Sequence, residues 1–195
     1  MKLQIQKSTL ETDLIIACKK QNAKAQRMLY DKYVTLMLGL CRRYIKGEME
    51  AEDVMINGFM KVFTKINLFE GKGSFEGWMK RIMINEALGY IRKNKAMYLE
   101  IEIEAADKEP DFNKLFTELE TNDLLKMVNE LPSGYRTIFN LYAIEGYSHK
   151  EISELLGINE NTSKSQLSRA RMNLRKKLLA SEQVLEQKKV RKDGK

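Results

Sequence analysis

The sequence predicts an all-α protein of two small helical domains joined by an acidic linker, the second domain ending in a helix-turn-helix. Apolar residues recur at steps of three and four along most of the chain, which is the spacing of one helix face. The 195 residues include only two prolines, Pro110 and Pro132, and alternating β-branched stretches are nearly absent. We expect domains at 1–98 and 121–180, a linker at 99–120 and a basic tail at 181–195.

Charge is distributed unevenly along the chain. The net charge of +7 at pH 7 favours a polyanionic partner. Lysine and arginine concentrate in residues 61–98 and 164–195, whereas acids dominate residues 99–121. Two basic segments around an acidic one are expected when two nucleic-acid-facing units are joined by a segment that avoids nucleic acid.

Three helices are expected before residue 67. Asp13 is expected to cap a short helix at 14–20. Asn22 opens a long one, whose core stripe is Ala25, Leu29, Tyr33, Leu36, Leu40 and Tyr44. Gly47 interrupts the pattern, and the third helix is expected at 51–66 with Glu52 and Asp53 in its first turn, where acids suit the helix dipole. Met55 and Ile56 lie partly off its apolar stripe, so this helix carries either a docking surface or a wider core contact.

A glycine-containing loop at 69–74 precedes the fourth predicted helix, at 75–94. The loop lacks the GxxxxGK[ST] pattern and a preceding strand, so it is not expected to be a nucleotide-binding loop. Ser74 is the predicted N-cap. The helix interleaves aromatic and cationic residues, and Phe75 and Trp78 at i, i+3 favour core packing over a base-stacking platform.

The second domain is expected to begin with a helix that contains Leu124, Leu125, Val128 and Leu131, followed by a further helix from Pro132 to Gly146. A helix-turn-helix follows. Ser148 and Glu151 form a capping box, Gly157 stands where a helix needs a left-handed residue, and Asn159 is a favoured N-cap for the second helix. That helix is expected to pack inward through Leu167, Ala170, Leu174 and Leu178.

The opposite face of the last helix is polar and basic, which is typical of a recognition helix in a major groove. A solvated basic helix is the alternative, but the capped helix, the glycine turn and the two-sided second helix occur together in register. The candidate DNA-binding residues here are Asn161, Thr162, Lys164, Ser165, Ser168, Arg169, Arg171 and Arg175.

Several classes of site are not expected. Cys18 and Cys41 form no CxxC pair and are predicted to be buried thiols of a reducing cytoplasm. With His149 as the lone histidine, no metal or other cofactor is predicted, and His149 is interpreted as an exposed residue in the first turn of a helix. No nucleophile-base pair or carboxylate dyad stands out, so no catalysis is expected. No apolar run would span a membrane, so a cytoplasmic protein without membrane insertion is expected.

Taken together, these stretches resemble the extracytoplasmic-function group of bacterial sigma factors, in the sigma-70 family. The resemblance is carried by AEDVMINGFMKVF at 51–63, FEGKGSFEGWMKRIMINEALGYIRK at 69–93, LPSGYRTIFNLYAIEGYSHKEISELLGI at 131–158 and TSKSQLSRARMNLRKKL at 162–178. It implies a transcription initiation factor with core RNA polymerase, promoter DNA and, where one exists, an anti-sigma factor as partners.

The resemblance also implies roles for single residues. Polymerase binding is implied for Glu52, Asp53, Asn57, Phe59 and Met60. Contact with the minus-ten element is implied for Glu70, Gly71, Lys72, Gly73, Ser74, Trp78, Arg81, Asn85 and Arg92, with 70–74 capturing an unstacked base. Lys164, Ser165, Ser168 and Arg169 match the base-facing positions for the minus-thirty-five element.

The sequence departs from the family pattern at four positions: Ile56 and Asn57 replace a common Gln-Glu, Gly89 replaces Asp, and Ser163 replaces an apolar residue. Two other interpretations stay open. One is a helix-turn-helix regulator with an N-terminal sensing or dimerisation domain, which would bind a duplex operator as a dimer. The other is a helical adaptor whose basic faces bind acidic proteins.

Overall fold

The computed structural model describes residues 2–94 and 121–193, with side chains described for residues 10–94 and 125–180. All regular structure in these ranges is helical, which confirms the predicted all-α class. The chain divides into two compact units, residues 1–94 and 95–195. The predicted acidic linker at 99–120 lies outside the described residues.

Unit 1 is a bundle in which one helix contacts all the others. Its helices are α1 (Lys2–Lys19), α2 (Ala23–Tyr44), α3 (Glu48–Lys65) and α4 (Phe75–Lys93), with a 3-10 turn at Ile66–Leu68 after α3. Helix α2 packs against α1, α3 and α4, and α3 packs against α4. Side chains that are almost fully buried between them include Leu29, Met37, Leu40, Val62, Ile66, Met79, Met83 and Leu88.

In unit 1, the predicted helix starts are confirmed where the sequence has a polar N-cap residue. The Asn22 side chain accepts from the Ala25 amide at 3.0 Å, and Ser74 Oγ accepts from the Gly77 amide at 3.1 Å. The other two predicted starts are wrong. Helix α1 runs through Asp13, since no proline or glycine precedes it, and α3 begins at Glu48, directly after Gly47. Glu48 and Glu50 therefore form the acidic first turn of α3.

The predicted core stripe of α2 is correct except at Leu36, which is exposed, while Met37 is buried. Both residues fit steps of three or four from Tyr33 and Leu40, so spacing alone does not choose between them. The neighbouring Cys41 is also buried. Because 37 and 41 are one helical turn apart, the buried face of α2 extends to their side of the helix.

Unit 2 contains α5 (Thr121–Asn129), α6 (Ser133–Phe139), α7 (His149–Leu156) and α8 (Glu160–Asp193), and α8 packs against the other three. The predicted helix up to Gly146 is helical from Ser133 to Ile144, but its second part is π-helical: α6 continues directly into a π-helical turn at Asn140–Ile144, in which the Glu145 amide bonds to the Asn140 carbonyl at 2.9 Å. Fully buried Arg136 of α6 donates a hydrogen bond to the Asn129 carbonyl at 3.0 Å. It thereby provides a partner for one of the last carbonyl groups of α5, which have none within the helix.

Candidate nucleic-acid and protein interfaces

The loop at 70–74 has a backbone that glycine makes possible. Gly71 and Gly73 have φ values of +78° and +89°, a region in which other residues are strained. Residues 70–74 are all exposed, and Lys72 pairs with Glu70 at 2.6 Å on the surface. The loop is therefore a tight, exposed segment directly before the capped N-terminus of α4, which is a favourable place for an anion.

An aromatic cluster supports this loop. Phe75 is buried and stacks on Trp78 with ring centroids 5.5 Å apart, and Phe69 lies 5.6 Å from Trp78. The structure therefore places Phe75 in the core, as predicted, and leaves Trp78 half-buried against Phe69 and Phe75. Trp78 retains some exposed surface, and the two rings that it contacts lie at either end of the loop at 70–74.

Helix α1 lines the other side of the loop, which the sequence did not indicate. A cavity of about 500 Å³ lies between α1 and the loop, lined by Thr12, Ile16 and Lys19 among others. Lys19 Nζ donates to the Phe69 carbonyl at 2.7 Å. This bond joins residues 50 positions apart, so no local pattern could have revealed it.

A basic groove lies between α3 and α4. It has a volume of about 430 Å³ and includes Asn57, Asn85 and Arg92 from the candidate residues. Gly89 also lines it, as do residues that sequence reasoning missed: Lys61, Lys65 and Lys93. Asn57, a candidate polymerase-binding residue, therefore lies with candidate minus-ten residues, while Arg81 is exposed elsewhere on α4. The i, i+4 pair Lys61 and Lys65 is the signal that could have located this groove.

The other side of α3 is exposed and partly apolar. Met49, Ile56 and Met60 lie on it, with Met60 63% exposed, and Glu52 and Asp53 are exposed beside them. Phe59 is a correction to the candidate set: it is only 3% exposed and lies 4.8 Å from the Tyr30 ring. Because Phe59 belongs to the contact between α2 and α3, it supports this face without forming part of its surface.

The helix-turn-helix has the local geometry that the sequence predicts. Ser148 and Glu151 form both bonds of a capping box. Gly157 is left-handed, with φ 66° and ψ 37°, and the amides of Gly157 and Ile158 both bond to the Ser153 carbonyl. Asn159 Oδ1 accepts from the Asn161 amide at 2.8 Å and caps α8. These bonds confirm the predicted turn.

The predicted inner face of α8 is confirmed, because Leu167, Ala170, Leu174 and Leu178 are all buried. The candidate DNA-binding residues are at least partly accessible. Asn161, Lys164 and Arg175 are exposed, whereas the others are half-buried: Thr162, Ser165, Ser168, Arg169 and Arg171. Lys164 pairs with Glu160 at 2.9 Å, and this bond is the main cause that lowers the pKa of Glu160.

His149 is not the exposed residue that the sequence suggested. Its side chain is half-buried, its Nδ1 lies 2.9 Å from Ser163 Oγ, and its ring stacks on Tyr142 with centroids 4.5 Å apart. Arg171 lies over the same Tyr142 ring at 5.8 Å. A serine at a predicted buried position, with a lone histidine in the preceding helix, was the available signal.

Among residues 2–94 and 121–193, no group of three or more His, Cys, Asp or Glu side chains is placed to hold a metal ion. None of the helices described there combines the length and apolar character that crossing a membrane requires.

Comparison with known proteins identifies the family. Sigma-70 region 2 matches residues 29–97, and sigma-70 region 4 matches residues 121–174. The ECF RNA polymerase sigma factor SigW of Bacillus subtilis is 30% identical over 172 residues, which cover 82% of this chain and 92% of SigW. The ECF RNA polymerase sigma-E factor of Haemophilus influenzae is 26% identical over 178 residues, with coverage of 85% and 93%.

Solved structures of sigma factors are similar as well. The sigma factor RpoE of Bartonella quintana, solved with the anti-sigma factor NepR, is 24% identical with a TM-score of 0.48, covering 79% of this chain and 96% of that one. The two matched regions and the similarity to SigW along most of both chains decide the assignment. The chain belongs to the extracytoplasmic-function group of the sigma-70 family and is a transcription initiation factor.

Proposed function

We propose that this chain binds core RNA polymerase, reads a minus-thirty-five element through α8 and a minus-ten element through unit 1, and helps to open the DNA between them and the start site. The observation that carries the proposal is that α8 has one buried apolar face and one accessible face that is polar and basic. Its inner face is buried by Leu167, Ala170 and Leu174, so its outer face is held outward behind a fully capped turn, as in a recognition helix.

The residues on the outer face of α8 suit two different kinds of DNA contact. Lys164 and Arg175 are exposed cations that suit phosphate contacts, which position the helix without reading sequence. Ser165, Ser168 and Arg169 suit base edges, and an arginine that bonds to guanine in two places is worth about 1–3 kcal/mol of discrimination. The remaining members of the proposed set are Asn161, Thr162 and Arg171.

Unit 1 is proposed to capture the minus-ten strand. The tight loop at 70–74 can receive an unstacked base, and half-buried Trp78 contacts the aromatic rings at both ends of this loop. The groove with Asn85 and Arg92 can bind the strand that leaves the duplex. No chemical step is needed: unstacking costs a few kcal/mol per base, and stacking on an aromatic side chain returns about 1–3. The chain therefore acts through binding energy and needs no catalytic group.

The exposed face of α3 is proposed to bind the polymerase. Glu52, Asp53 and Met60 form its centre, Met49 and Ile56 extend it, and buried Phe59 holds it against α2. Asn57 is assigned to both this face and the groove, since it lies between them. The proposed site of action is the cytoplasm, where the polymerase works. An anti-sigma factor, where one exists, is a further proposed partner.

Transcription from a promoter library tests the proposal. Purified core polymerase is incubated with randomised promoter DNA, with and without this chain, and transcript starts are sequenced. We expect chain-dependent starts downstream of two motifs at a fixed spacing. The absence of new starts, combined with tight binding of the chain alone to a palindromic duplex, would instead support a dimeric regulator.

A further inference from the structure

We infer that His149 is a positioning residue for promoter recognition, which fixes the orientation of α8 by binding the buried hydroxyl of Ser163. The inference rests on the proposed role of α8 in reading the minus-thirty-five element. It assigns a function to the chain's only histidine and to a serine that stands where an apolar residue was expected.

The bond between His149 and Ser163 has a clear physical basis. Ser163 is 0% exposed, and a buried hydroxyl is costly unless it has a hydrogen-bond partner. His149 Nδ1 lies 2.9 Å from Ser163 Oγ. Because His149 is the first residue of α7 and Ser163 lies in the first turn of α8, this bond fixes the start of one helix to the start of the other.

A second contact attaches α8 to the same cluster. The His149 ring stacks on Tyr142 of the π-helical turn, and the guanidinium of Arg171 lies over that Tyr142 ring. Ser163 and Arg171 are eight residues apart, or about 12 Å along the helix axis. The apolar inner face of α8 holds the helix against the rest of unit 2, and these two directional contacts further restrict its rotation about its own axis.

The fixed points lie next to the residues proposed to read DNA. Ser165, Ser168 and Arg169 all lie between the two attachment points, Ser163 and Arg171. A rotation of α8 by a few degrees would move these side chains together relative to the base edges. Direct readout depends on hydrogen bonds with narrow limits of distance and angle, so the attachment of α8 should affect selectivity more than overall affinity.

The test uses holoenzyme reconstituted from core polymerase and the full-length chain. Its readout is the affinity for a promoter with its minus-thirty-five element intact, divided by the affinity for the same promoter with that element replaced. His149→Phe keeps a ring to stack on Tyr142 but cannot bond to Ser163. His149→Asn keeps an amide near the position of Nδ1, and Ser163→Ala removes the hydroxyl.

We expect His149→Phe and Ser163→Ala each to lower this ratio about threefold to tenfold, the range of one hydrogen bond. The double variant should be no worse than either single variant, because both changes break the same bond. His149→Asn should recover most of the ratio. Ile152→Val, a buried change in the same helix that leaves the bond intact, should destabilise the chain without changing the ratio.

Unchanged ratios for His149→Phe and Ser163→Ala would overturn the inference, and so would an equal fall for Ile152→Val, which would show that destabilisation alone is responsible. Arg169→Ala, measured in parallel, tests the proposed function separately. If only Arg169→Ala lowers the ratio, α8 still reads DNA and His149 does not position it. If no variant lowers the ratio, both the inference and the proposed role of α8 are wrong.

Discussion

At the scale of single residues, one carboxylate joins α1 to the rest of unit 1. Glu11 accepts hydrogen bonds from Lys32 Nζ and the Tyr33 hydroxyl. Burial by itself would raise the pKa of Glu11, but the bonds from Lys32 and Tyr33 and the charge of Lys32 outweigh it, and the pKa is lowered. Burial and the bond to Glu11 raise the pKa of Tyr33. Both shifts favour a charged Glu11 with a neutral Tyr33.

Glu11→Gln should lower the free energy of unfolding of unit 1 by about 1–2 kcal/mol at pH 7, because it weakens two hydrogen bonds to a charged group. The folded-state pKa of Glu11 lies below its ordinary value of 4.5, so its stabilisation is complete above that value and is lost as the pH falls through the folded-state pKa. Urea unfolding followed by fluorescence measures this, since Trp78 is the single tryptophan and lies in unit 1.

The control for this prediction is Glu70→Gln. Glu70 forms an exposed ion pair with Lys72, so its loss should change the unfolding free energy by no more than about 0.5 kcal/mol. If the difference between wild type and Glu11→Gln stayed constant from pH 7 to pH 3, the ionised carboxylate would not be the source of the stabilisation.

Contacts of this kind explain what sequence reasoning missed at the residue scale. Glu11 and Tyr33 are 22 positions apart and Lys19 and Phe69 are 50 positions apart, so only the packing of α1 on unit 1 brings them together. His149 was predicted to be exposed because a first helical turn is usually solvated. Its burial depends on Tyr142 and Ser163, which belong to other elements.

At the scale of elements, one face of α3 is proposed to bind the polymerase and another packs against α2. The proposed polymerase face carries exposed Ile56 and Met60, and the buried face carries Phe59. Replacing Ile56 and Met60 together by alanine should weaken binding to core polymerase about tenfold or more, because it removes two adjacent apolar side chains from the proposed interface. Surface plasmon resonance with immobilised core polymerase measures the affinity, and circular dichroism checks that the fold is retained.

Two further variants make this test specific to the face. Leu68→Ala removes a similar exposed apolar side chain from the 3-10 turn after α3 and should leave the affinity unchanged. Phe59→Ala should instead cost about 3–5 kcal/mol of stability, since it empties a buried aromatic site. If Ile56→Ala with Met60→Ala bound core polymerase as wild type does, this face of α3 would not be the docking surface.

Element boundaries were predictable where the signal was local. Ser74 and Ser148 are N-cap residues and Gly157 is a C-cap residue, so each marks a helix terminus by a contact within one turn. The structure has those termini at the predicted positions. The starts of α1 and α3 were missed because Asp13 and Ala51 are acceptable inside a helix as well as near its start. The choice between Leu36 and Met37 depends on the side from which the neighbouring helices approach α2, and helical spacing does not contain that information.

At the scale of the whole molecule, the helical class and the family were predictable because both depend on features repeated along the chain. Apolar spacing, few prolines and several short phrases in one order all indicate the same answer. The basic groove of unit 1 was less predictable, because Lys61 and Lys65 of α3 join Arg92 and Lys93 of α4 only after the two helices pack. Basic residues of both units are proposed to bind one promoter, and the salt dependence of binding can test this.

Each phosphate contact adds about 0.9 to the slope of log affinity against log salt on duplex DNA, and about 0.7 on a single strand. Lys164→Ala and Arg175→Ala together remove two cations from α8. They should therefore flatten the slope of log affinity against log salt, measured for holoenzyme binding to promoter DNA, by about two. Arg92→Ala with Lys93→Ala should flatten it by about 1.4, because the groove of unit 1 is proposed to bind a single strand. Lys20→Ala with Lys24→Ala, which replaces exposed lysines just after α1 and at the start of α2, should change nothing. If both units bind DNA in one complex, the four-residue variant combining the α8 and unit 1 pairs flattens the slope by the sum of the two effects. A four-residue variant no flatter than the stronger pair would mean that only one unit contacts phosphates at a time, and the two-element proposal would fail.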